Sequence, residues 1–431
     1  MDADELARQA RTETACIPPQ LVARLVELGH GDEVAYQATR GEWFCAREYA
    51  RLLAGQDRHP EALELLAPYL HTGWWTAAET AAGLLADCRR AAEAIALTHP
   101  HAASGYRPAL EFHARLLARH GRGEEAFALL VPLLDDGAIA AALVDAARDA
   151  GRDQDAAALL AARVEAGHHC DNAACRRTCE PHNAVDLLAA VRERQGRTDE
   201  AVALLRTRRS TPDADHDQLA DLLAHHDRIE ELRAYAAVED HGFAAQRLAE
   251  LLERRGDVDG AVAAYRQPCA WVGGRRRMAL RLSELLARHG RGAEAVEVLR
   301  RLADSPDGEE HRIIDRLCDR YAAEGRPEDG LAYLDGLTSR RGEEEWETFR
   351  ARLRLIAAAG RPEEALGRAR AHRQGGTWYA APAVAELLKL AGRPEEAVTV
   401  LRQQLPATRV ALAEHLVDLG RVREAVAVLQ D

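Results

Sequence analysis

The chain has 431 residues, of which 47% are hydrophobic and only 5% aromatic, and its formal net charge is −13. No apolar run approaches the roughly 18 residues of a membrane span. The N-terminus lacks the basic and apolar regions of a secretory signal, so we predict a cytoplasmic protein with no membrane partner. The acidic excess makes nucleic acid an unfavourable partner. Most of the apolar content is Ala, Leu and Val, which favours packed helices over sheets.

A short fragment recurs from the N-terminus to the C-terminus and organises the chain. It reads GRGEEA at 121–126 and returns, for example, as GRTDEA at 196–201 and GRPEEA at 360–365. The spacing between copies stays between 28 and 35 residues, except for one gap of 45 residues from Gly151 to Gly196. Such a period indicates an array of structural repeats. The thirteen anchor positions are 29, 57, 89, 121, 151, 196, 227, 256, 290, 325, 360, 392 and 420.

Each copy predicts a hairpin of two helices, A and B. An amphipathic run before the anchor, such as 278–289, predicts helix A, and the anchor Gly ends that helix in the left-handed conformation. Helix B then begins with Pro in its first turn at Pro327, Pro362 and Pro394. Ala recurs five residues after the anchor in ten copies and seven residues before it in eight. Small residues at fixed positions let neighbouring hairpins stack closely.

The unit resembles a degenerate tetratricopeptide repeat, because Ala114, Gly121 and Ala126 occupy the small, Gly and Ala positions of that family. The resemblance covers about residues 16–431 and implies an all-α, right-handed α-solenoid of about thirteen antiparallel helical hairpins. We expect N-terminal repeats over 1–166, a Cys/His-rich insertion over 167–183, and C-terminal repeats over 184–431 that continue the first set.

Trp recurs fourteen residues before the anchor in four copies, at Trp43, Trp75, Trp346 and Trp378. Each is expected at the start of helix A, where packing between hairpins is the favoured interpretation and stacking against a ligand is the alternative. We expect Trp74, next to Trp75, to be the most exposed of these rings.

The long gap holds the segment HHCDNAACRRTCEPH at 168–182. Three thiolates and one imidazole form the ligand set of a closed structural zinc site, and an iron–sulfur centre is the less favoured occupant. The competing interpretation is a loop with reduced thiols or a facultative disulfide. The candidate ligands are Cys170, Cys175, Cys179 and His182, with His168 and His169 as alternatives.

A second insertion, 268–280, places Gly273 and Gly274 before three Arg residues. Backbone amides and guanidinium groups there could contact a phosphate, but a flexible corner with a solvated face is the favoured interpretation. The segment lacks the Lys and Ser/Thr of a nucleotide loop, and the hydrolase and metalloprotease motifs are absent from the sequence. We therefore predict that the chain is not an enzyme.

The resemblance implies that helix A faces line a concave groove, at positions ten, six and three residues before each anchor. Arg47 and Arg51 make this face basic near the N-terminus, and Arg350 and Arg354 make it basic in the eleventh repeat. The Lys, Asn and Arg of the chaperone-binding carboxylate clamp are not found together. In the middle repeats the face is acidic, through Asp186, Glu193, Asp217, Asp221, Glu250, Glu253, Glu284, Asp315 and Asp319.

We therefore predict a protein-interaction scaffold or adaptor whose acidic groove suits a basic partner segment. Solvated helix faces are the equally weighted alternative for this charge. A metal- or redox-responsive regulator is the second functional hypothesis, and an RNA-binding helical repeat is the third. The chain ends in helix B without an added polar cap, so self-association through the C-terminal repeat is a further expectation.

Overall fold

The computed structural model describes residues 2–12, 16–134, 136–166, 181–207, 217–305, 311–342 and 344–430. These ranges contain α-helices and one 3-10 helix, and they contain no strand. The chain divides into two compact units, Met1–Arg209 with Gly420–Asp431 (unit 1) and Ser210–Leu419 (unit 2).

The described residues of unit 1 form one N-terminal helix, six hairpins and the last helix of the chain. Its helices are α1 (Ala3–Thr12), α2 (Pro19–Glu27), α3 (Gly31–Thr39), α4 (Trp43–Gly55), α5 (His59–Leu70), α6 (Trp75–Asp87), α7 (Ala91–Ala103), α8 (Arg107–Arg119), α9 (Gly123–Leu130), α10 (Gly137–Ala150), α11 (Asp153–Ala166), α12 (Pro181–Arg194) and α13 (Thr198–Arg206). The 3-10 helix Val131–Leu133 follows α9.

In the part of unit 2 that the structure describes, there are six further hairpins and one additional helix A. Its helices are α14 (Gln218–His225), α15 (Ile229–Ala236), α16 (Phe243–Arg254), α17 (Val258–Tyr265), α18 (Val272–Arg288), α19 (Gly292–Ala303), α20 (His311–Ala323), α21 (Pro327–Arg341), α22 (Trp346–Ala358), α23 (Pro362–Ala371), α24 (Ala381–Leu390), α25 (Pro394–Arg402) and α26 (Arg409–Asp418). The final helix, α27 (Val422–Gln430), follows Gly420 and belongs to unit 1.

The thirteen anchors mark the thirteen turns between helix A and helix B. Every anchor has a positive φ, between 60° and 84°, which is the left-handed conformation that ends a helix. Ten are Gly, and the other three, Asp57, Arg89 and Asp227, are the only non-glycine residues with positive φ in the ranges above. The all-α, tetratricopeptide-like array of helical hairpins predicted from the repeat is therefore confirmed.

The two small-residue positions lie in the contact between helices. All ten Ala residues five positions after an anchor have no exposed surface, as Ala126 and Ala397 illustrate. The eight Ala residues seven positions before an anchor are at most 1% exposed, and Ser283 and Cys318 are buried at the same position. Close packing there leaves no room for a larger side chain. The Ala-rich composition is thus a packing requirement of the stack.

The repeats on either side of the 45-residue gap pack directly against each other. Leu160 of α11 and Leu188 and Val191 of α12 belong to one buried cluster. The Arg194 guanidinium also forms an ion pair with the Asp153 carboxylate. Stacking therefore continues across the gap. Residues 167–180 lie outside the described part of the chain, so the boundaries of the predicted insertion stay a prediction.

The last helix contacts the first repeat within unit 1. Gln430 Nε2 donates a hydrogen bond to Gln37 Oε1 at 3.0 Å, and Val426 and Leu429 of the same helix are buried. Gln37 is itself only 4% exposed, and its amide nitrogen donates to Glu33 at 2.8 Å. The last helix therefore has a contact within the chain, and self-association through the C-terminal repeat stays a prediction. None of the helices described is long and apolar enough to span a bilayer.

Candidate functional site

An open groove lies between α4 and α6, the A helices of the second and third repeats. We call it the α4–α6 groove, and its volume is about 760 Å³. Arg47 and Arg51 line it from α4, and Glu79 and Gly83 line it from α6. These four residues occupy positions ten and six before their anchors. The helix A face implied by the tetratricopeptide resemblance therefore forms a groove wall at this point.

Arg47 lies on the α4 wall of this groove without an ion pair. It forms no ion pair with any carboxylate among the residues described, and its Nε is buried without a hydrogen-bond partner. Its guanidinium lies 5.3 Å from the centre of the Phe44 ring. Burial, followed by the positive charge of Arg51, lowers the pKa of Arg47. Attraction by the Glu48 carboxylate opposes this shift. A half-buried cation thus faces the groove without an ion-pair partner.

The other charged groups of the α4–α6 groove are also only partly compensated. Arg51 forms an ion pair with Glu48 at 3.0 Å, while Nδ1 of His59 is buried and has no hydrogen-bond partner. Burial raises the pKa of the Glu79 carboxyl on the opposite wall. Asp87 lines the far end of the groove and is exposed. The groove therefore combines two arginines, one of them without an ion pair, with the Glu79 carboxylate, whose ionised form is disfavoured by burial.

The carboxylates predicted to line an acidic groove in unit 2 all have partners within the chain. Asp217 caps α14 by accepting a hydrogen bond from the Ala220 amide at 3.0 Å, and it also accepts one from the Tyr235 hydroxyl. Arg247 of the next repeat pairs with both Asp221 and Glu250, the latter at 2.7 Å. The remaining pairs join Glu253 to Arg288 and His289, Glu284 to Arg281, and Asp315 and Asp319 to Arg354.

At Asp315 both oxygens of the carboxylate are bonded to arginines of the same chain. Its two carboxylate oxygens accept from Arg350 at 3.0 Å and from Arg354 at 2.8 Å, both on the A helix of the following repeat. The two basic residues predicted for the eleventh repeat thus neutralise the acidic residues predicted for the tenth. The helix A face of unit 2 carries less free negative charge than its composition indicates.

The two acidic-groove residues of unit 1 lie on α12. Asp186 and Glu193 are both half-buried, and neither is without an interaction partner. They therefore follow the same pattern as their counterparts in unit 2. The predicted groove residues are real members of helix A faces, and the preference for a basic partner stays a prediction.

A second set of ion pairs follows the turns between helix A and helix B. In eleven repeats the Arg directly after the anchor pairs with an acidic residue three positions later, as in Arg122–Glu125 and Arg361–Glu364. Four of these arginines also reach the preceding repeat, and Arg361 contacts Glu328 at 2.7 Å. The recurring G-R-x-x-E pattern places this Arg and its acidic partner three residues apart, and their pairing was not predicted.

The tryptophans divide into a buried and an exposed group. Trp43, Trp75 and Trp346 begin helices α4, α6 and α22 and are at most 9% exposed, which confirms their packing role. The prediction that Trp74 is the most exposed was wrong, because its ring packs 4.6 Å from that of Trp43 and is 6% exposed. Trp378 lies three residues before its helix and is 57% exposed, so its expected place at the start of helix A was also wrong.

Residues 272–280 of the second insertion are helical, so the flexible corner was wrong, and the phosphate contact stays an untested alternative. Helix α18 begins within it, and a Cβ on Gly274 would lie 2.4 Å from both Cys269 Sγ and the His241 carbonyl oxygen. Arg277 donates to that same carbonyl at 2.7 Å, and its guanidinium lies 3.9 Å from the Phe243 ring centre. The glycine and the arginine are therefore part of the packing between two repeats.

The predicted metal ligands fall outside the part that the structure describes. Cys170, Cys175, Cys179, His168 and His169 lie within 167–180, and only the backbone of His182, in the first turn of α12, is described. Among the scattered thiols, burial raises the pKa of Cys318 to about 12, and Cys45 is fully buried. These buried thiols are protonated near neutral pH, as expected for packing residues.

No protein-family model and no curated protein sequence matches the chain. Among solved structures it is similar to Naa15/Naa10 bound to HypK-THB, with a TM-score of 0.38, 13% identity, and coverage of 95% of this chain and 67% of that chain. It is also similar to the pentatricopeptide repeat protein PPR10 from maize, with a TM-score of 0.34, 16% identity, and coverage of 92% of this chain and 60% of that chain.

A tetratricopeptide repeat protein from Parabacteroides merdae is a third similar structure, with a TM-score of 0.29, 12% identity, and coverage of 71% of this chain and 99% of that chain. These similarities are distant. The geometry of its own hairpins makes this chain an all-α, tetratricopeptide-like helical repeat protein.

Proposed function

We propose that the chain is a protein-interaction scaffold that binds an extended segment of a partner protein along its helix A faces. The observation that supports this proposal best is the open α4–α6 groove. Its length follows two neighbouring helices, its walls carry charged and hydroxyl groups, and it is open to solvent along one side. Such a surface suits a polypeptide better than a small enclosed ligand.

Site-specific photo-cross-linking in the native host tests the scaffold proposal. A benzophenone amino acid placed at Thr80 lies in the α4–α6 groove, whereas the same amino acid at Glu64 lies on the exposed side of α5 in the adjacent helix B. We expect a discrete cross-linked partner from Thr80 and none from Glu64. Equal yields from both positions, or a partner from Glu64 alone, would contradict the proposal.

A basic partner segment for the helix A face of unit 2 is the second, finer candidate. Asp319 and Glu284 support it, because their side chains keep 55% and 41% of their surface exposed despite their ion pairs. An arginine-rich peptide should then bind the wild-type protein and lose affinity to the Asp319→Asn/Glu284→Gln variant. Unchanged binding to that variant would remove this candidate, and it would leave the scaffold proposal standing.

For residues 168–182 we propose a structural zinc site formed by Cys170, Cys175, Cys179 and His182. The chemistry of the four donors supports it, since three thiolates and an imidazole match a closed zinc site. Elemental analysis of the purified protein should give about one zinc per chain, and Cys175→Ser should lower that content. Absence of stoichiometric zinc or iron in the wild-type protein would overturn the metal site.

The metal- or redox-responsive alternative makes a different prediction for the same site. It requires that metal loss alters the stacking of the adjacent repeats. Because Leu160 and Leu188 already pack across the gap, we expect hydrogen exchange in α11 and α12 to be unchanged by chelation, which favours a local staple. Faster exchange in both helices after chelation would favour the regulator.

A further inference from the structure

The α4–α6 groove holds a positive charge that the chain itself does not neutralise. The protein pairs its arginines systematically, both along the turns and across the helix A faces. Arg47 is not part of these pairs, since no described carboxylate forms an ion pair with it. Its buried Nε has no hydrogen-bond partner, a feature that it shares with Arg277 and Arg350. A partly desolvated guanidinium gains strongly from an incoming anion, because it has already lost part of its hydration. The groove surface beside Arg47 therefore favours a negatively charged group.

Arg51 extends the positive surface by one helical turn. It lies four residues after Arg47 on the same face of α4, and its like charge contributes to the lowered pKa of Arg47. Its ion pair with Glu48 leaves 56% of the Arg51 side chain exposed, so the guanidinium remains accessible. Two carboxylates spaced along an extended segment could reach both arginines.

Both walls of the groove leave room for such a segment. Gly83 of α6 and Gly55 at the end of α4 contribute no side chain to the groove, and a Cβ on either would meet open space. Thr80 lines the groove from α6. The groove volume of about 760 Å³ far exceeds one small anion and fits several residues of polypeptide.

The acidic groups of the groove do not cancel its arginines. Glu79 faces the groove from α6 without forming an ion pair to Arg47, and its burial disfavours ionisation. Glu48 forms its ion pair with Arg51 and attracts Arg47 without forming an ion pair with it. Asp87 lines the groove at the other end of α6. The end of the groove that carries Arg47 and Arg51 is thus the cationic end.

We propose that the α4–α6 groove binds an acidic segment of a partner protein, whose side-chain carboxylates pair with Arg47 and Arg51. The inference rests on the proposed scaffold function and names the chemistry of the partner at this site. The charge of this partner segment is opposite to that of the basic segment predicted for the middle repeats.

The eleventh repeat provides a matched control within the same chain. Arg350 and Arg354 occupy the same two helix A positions as Arg47 and Arg51, but both are already bound to Asp315. Removing them should therefore leave the binding of an acidic peptide unchanged, although it removes the same charge from the protein.

The test uses purified full-length protein and three 12-residue fluorescent peptides that differ only in four positions, occupied by Glu, Gln or Lys. By fluorescence anisotropy the Glu peptide should bind about tenfold more tightly than the Gln peptide, and the Lys peptide should bind more weakly still. Arg47→Gln/Arg51→Gln should raise the Kd of the Glu peptide about tenfold, whereas Arg350→Gln/Arg354→Gln should change it by less than about twofold.

Equal affinity for the Glu and Gln peptides, or an equal loss in both double variants, would overturn the inference. If circular dichroism shows that Arg47→Gln/Arg51→Gln is unfolded, Thr80→Glu, which adds a carboxylate to the groove, should produce the same loss. Failure with the peptides together with a specific cross-link from Thr80 would reject the acidic partner and retain the scaffold. Failure of the peptide titration together with failure of the Thr80 cross-link would reject both the acidic partner and the scaffold.

Discussion

Two pairs of neighbouring A helices carry similar charges and use them differently. In the α20–α22 pair, Asp315 faces Arg350 at a distance of 3.0 Å, and the facing charges are joined. In the α4–α6 pair, Arg47 and Glu79 occupy the corresponding positions, ten residues before their anchors, and they form no ion pair. One surface is closed by its own side chains, and the other leaves a groove. Residue type at a repeat position therefore does not determine whether the charge is available to a partner.

The difference has a physical basis in side-chain size and burial. Gly55 and Gly83 line the α4–α6 groove without a side chain, whereas Arg354 extends from α22 to both Asp315 and Asp319. Side chains that form ion pairs within the chain are less available to a partner. Exposed ion pairs of this kind contribute modestly to the stability of the fold. The unpaired cation contributes little to stability and retains its capacity for a ligand. The variants below separate these two uses of arginine.

The largest effect is expected for Arg352, on the same helix as Arg350 and Arg354. Its side chain is buried and pairs with Glu344 at 2.9 Å and with Asp335. Arg352→Gln leaves two carboxylates without their shared partner, and we expect a loss of about 3 kcal/mol in the free energy of unfolding. Urea unfolding monitored by circular dichroism measures it. A loss no larger than that of Arg354→Gln would contradict the importance of burial.

Asp315→Asn should have an intermediate effect. This change removes the partner of two arginines, and we expect a loss of about 1 kcal/mol in the free energy of unfolding at low salt. The loss should decrease at higher ionic strength, because the ion pairs are partly exposed.

The matched change on the open surface, Glu79→Gln, should leave the free energy of unfolding unchanged or slightly higher, because burial already disfavours the charged carboxylate. Similar losses in both variants would remove the contrast between the two surfaces.

Acid should act on the interior of unit 1 through His113. This ring is 4% exposed and lies 2.7 Å from the Thr98 hydroxyl through Nδ1, and burial followed by the nearby His99 lowers its pKa. The native state thus resists protonation of the His113 ring. The stability that the neutral ring contributes to the folded state is therefore complete above the unfolded pKa of about 6.5, and it is lost as the pH falls below that value.

Hydrogen exchange in α7 and α8 between pH 7.5 and pH 5.5, corrected for intrinsic rates, measures this effect. Protection should fall more in the wild-type protein than in His113→Gln, whose side chain does not titrate. The same decrease in both proteins would assign the acid sensitivity to other groups.

The smallest effect on stability is expected for Arg47→Gln, at no more than about 0.5 kcal/mol in either direction. The guanidinium has no ion pair to lose, and its replacement relieves repulsion from Arg51. Thermal unfolding of the variant beside Arg350→Gln provides the measurement. A loss above that of Arg350→Gln would indicate that Arg47 is structural and would weaken its assignment to a ligand.

Local features of the fold were predictable from the sequence. The repeat register identified Asp57, Arg89 and Asp227 as helix ends although none is Gly, and all three have a positive φ. These features depend on a few consecutive residues, whose conformational preferences repeat in every hairpin. The fully buried Ala positions were predictable for the same reason, because their spacing is fixed by the helix period.

Contacts between distant residues were not predictable in the same way. Gln37 and Gln430 are joined although 393 residues separate them, and Trp74 is buried because a ring from the preceding hairpin packs on it. Likewise, the pairing of Asp315 and the lack of pairing of Arg47 depend on the reach of side chains across neighbouring helices. The sequence located the charged face. Only the structure showed which of its charged side chains form ion pairs within the chain and which do not.

A pair of double-mutant cycles tests the central claim most directly. One cycle combines Asp315→Asn with Arg350→Gln, and the other combines Glu79→Gln with Arg47→Gln, each measured by urea unfolding of the full chain. We predict a coupling energy of about 0.5 to 1 kcal/mol for Asp315 with Arg350 and about zero for Glu79 with Arg47. Equal coupling energies in the two cycles would show that Arg47 is already neutralised within the chain and would contradict the open groove.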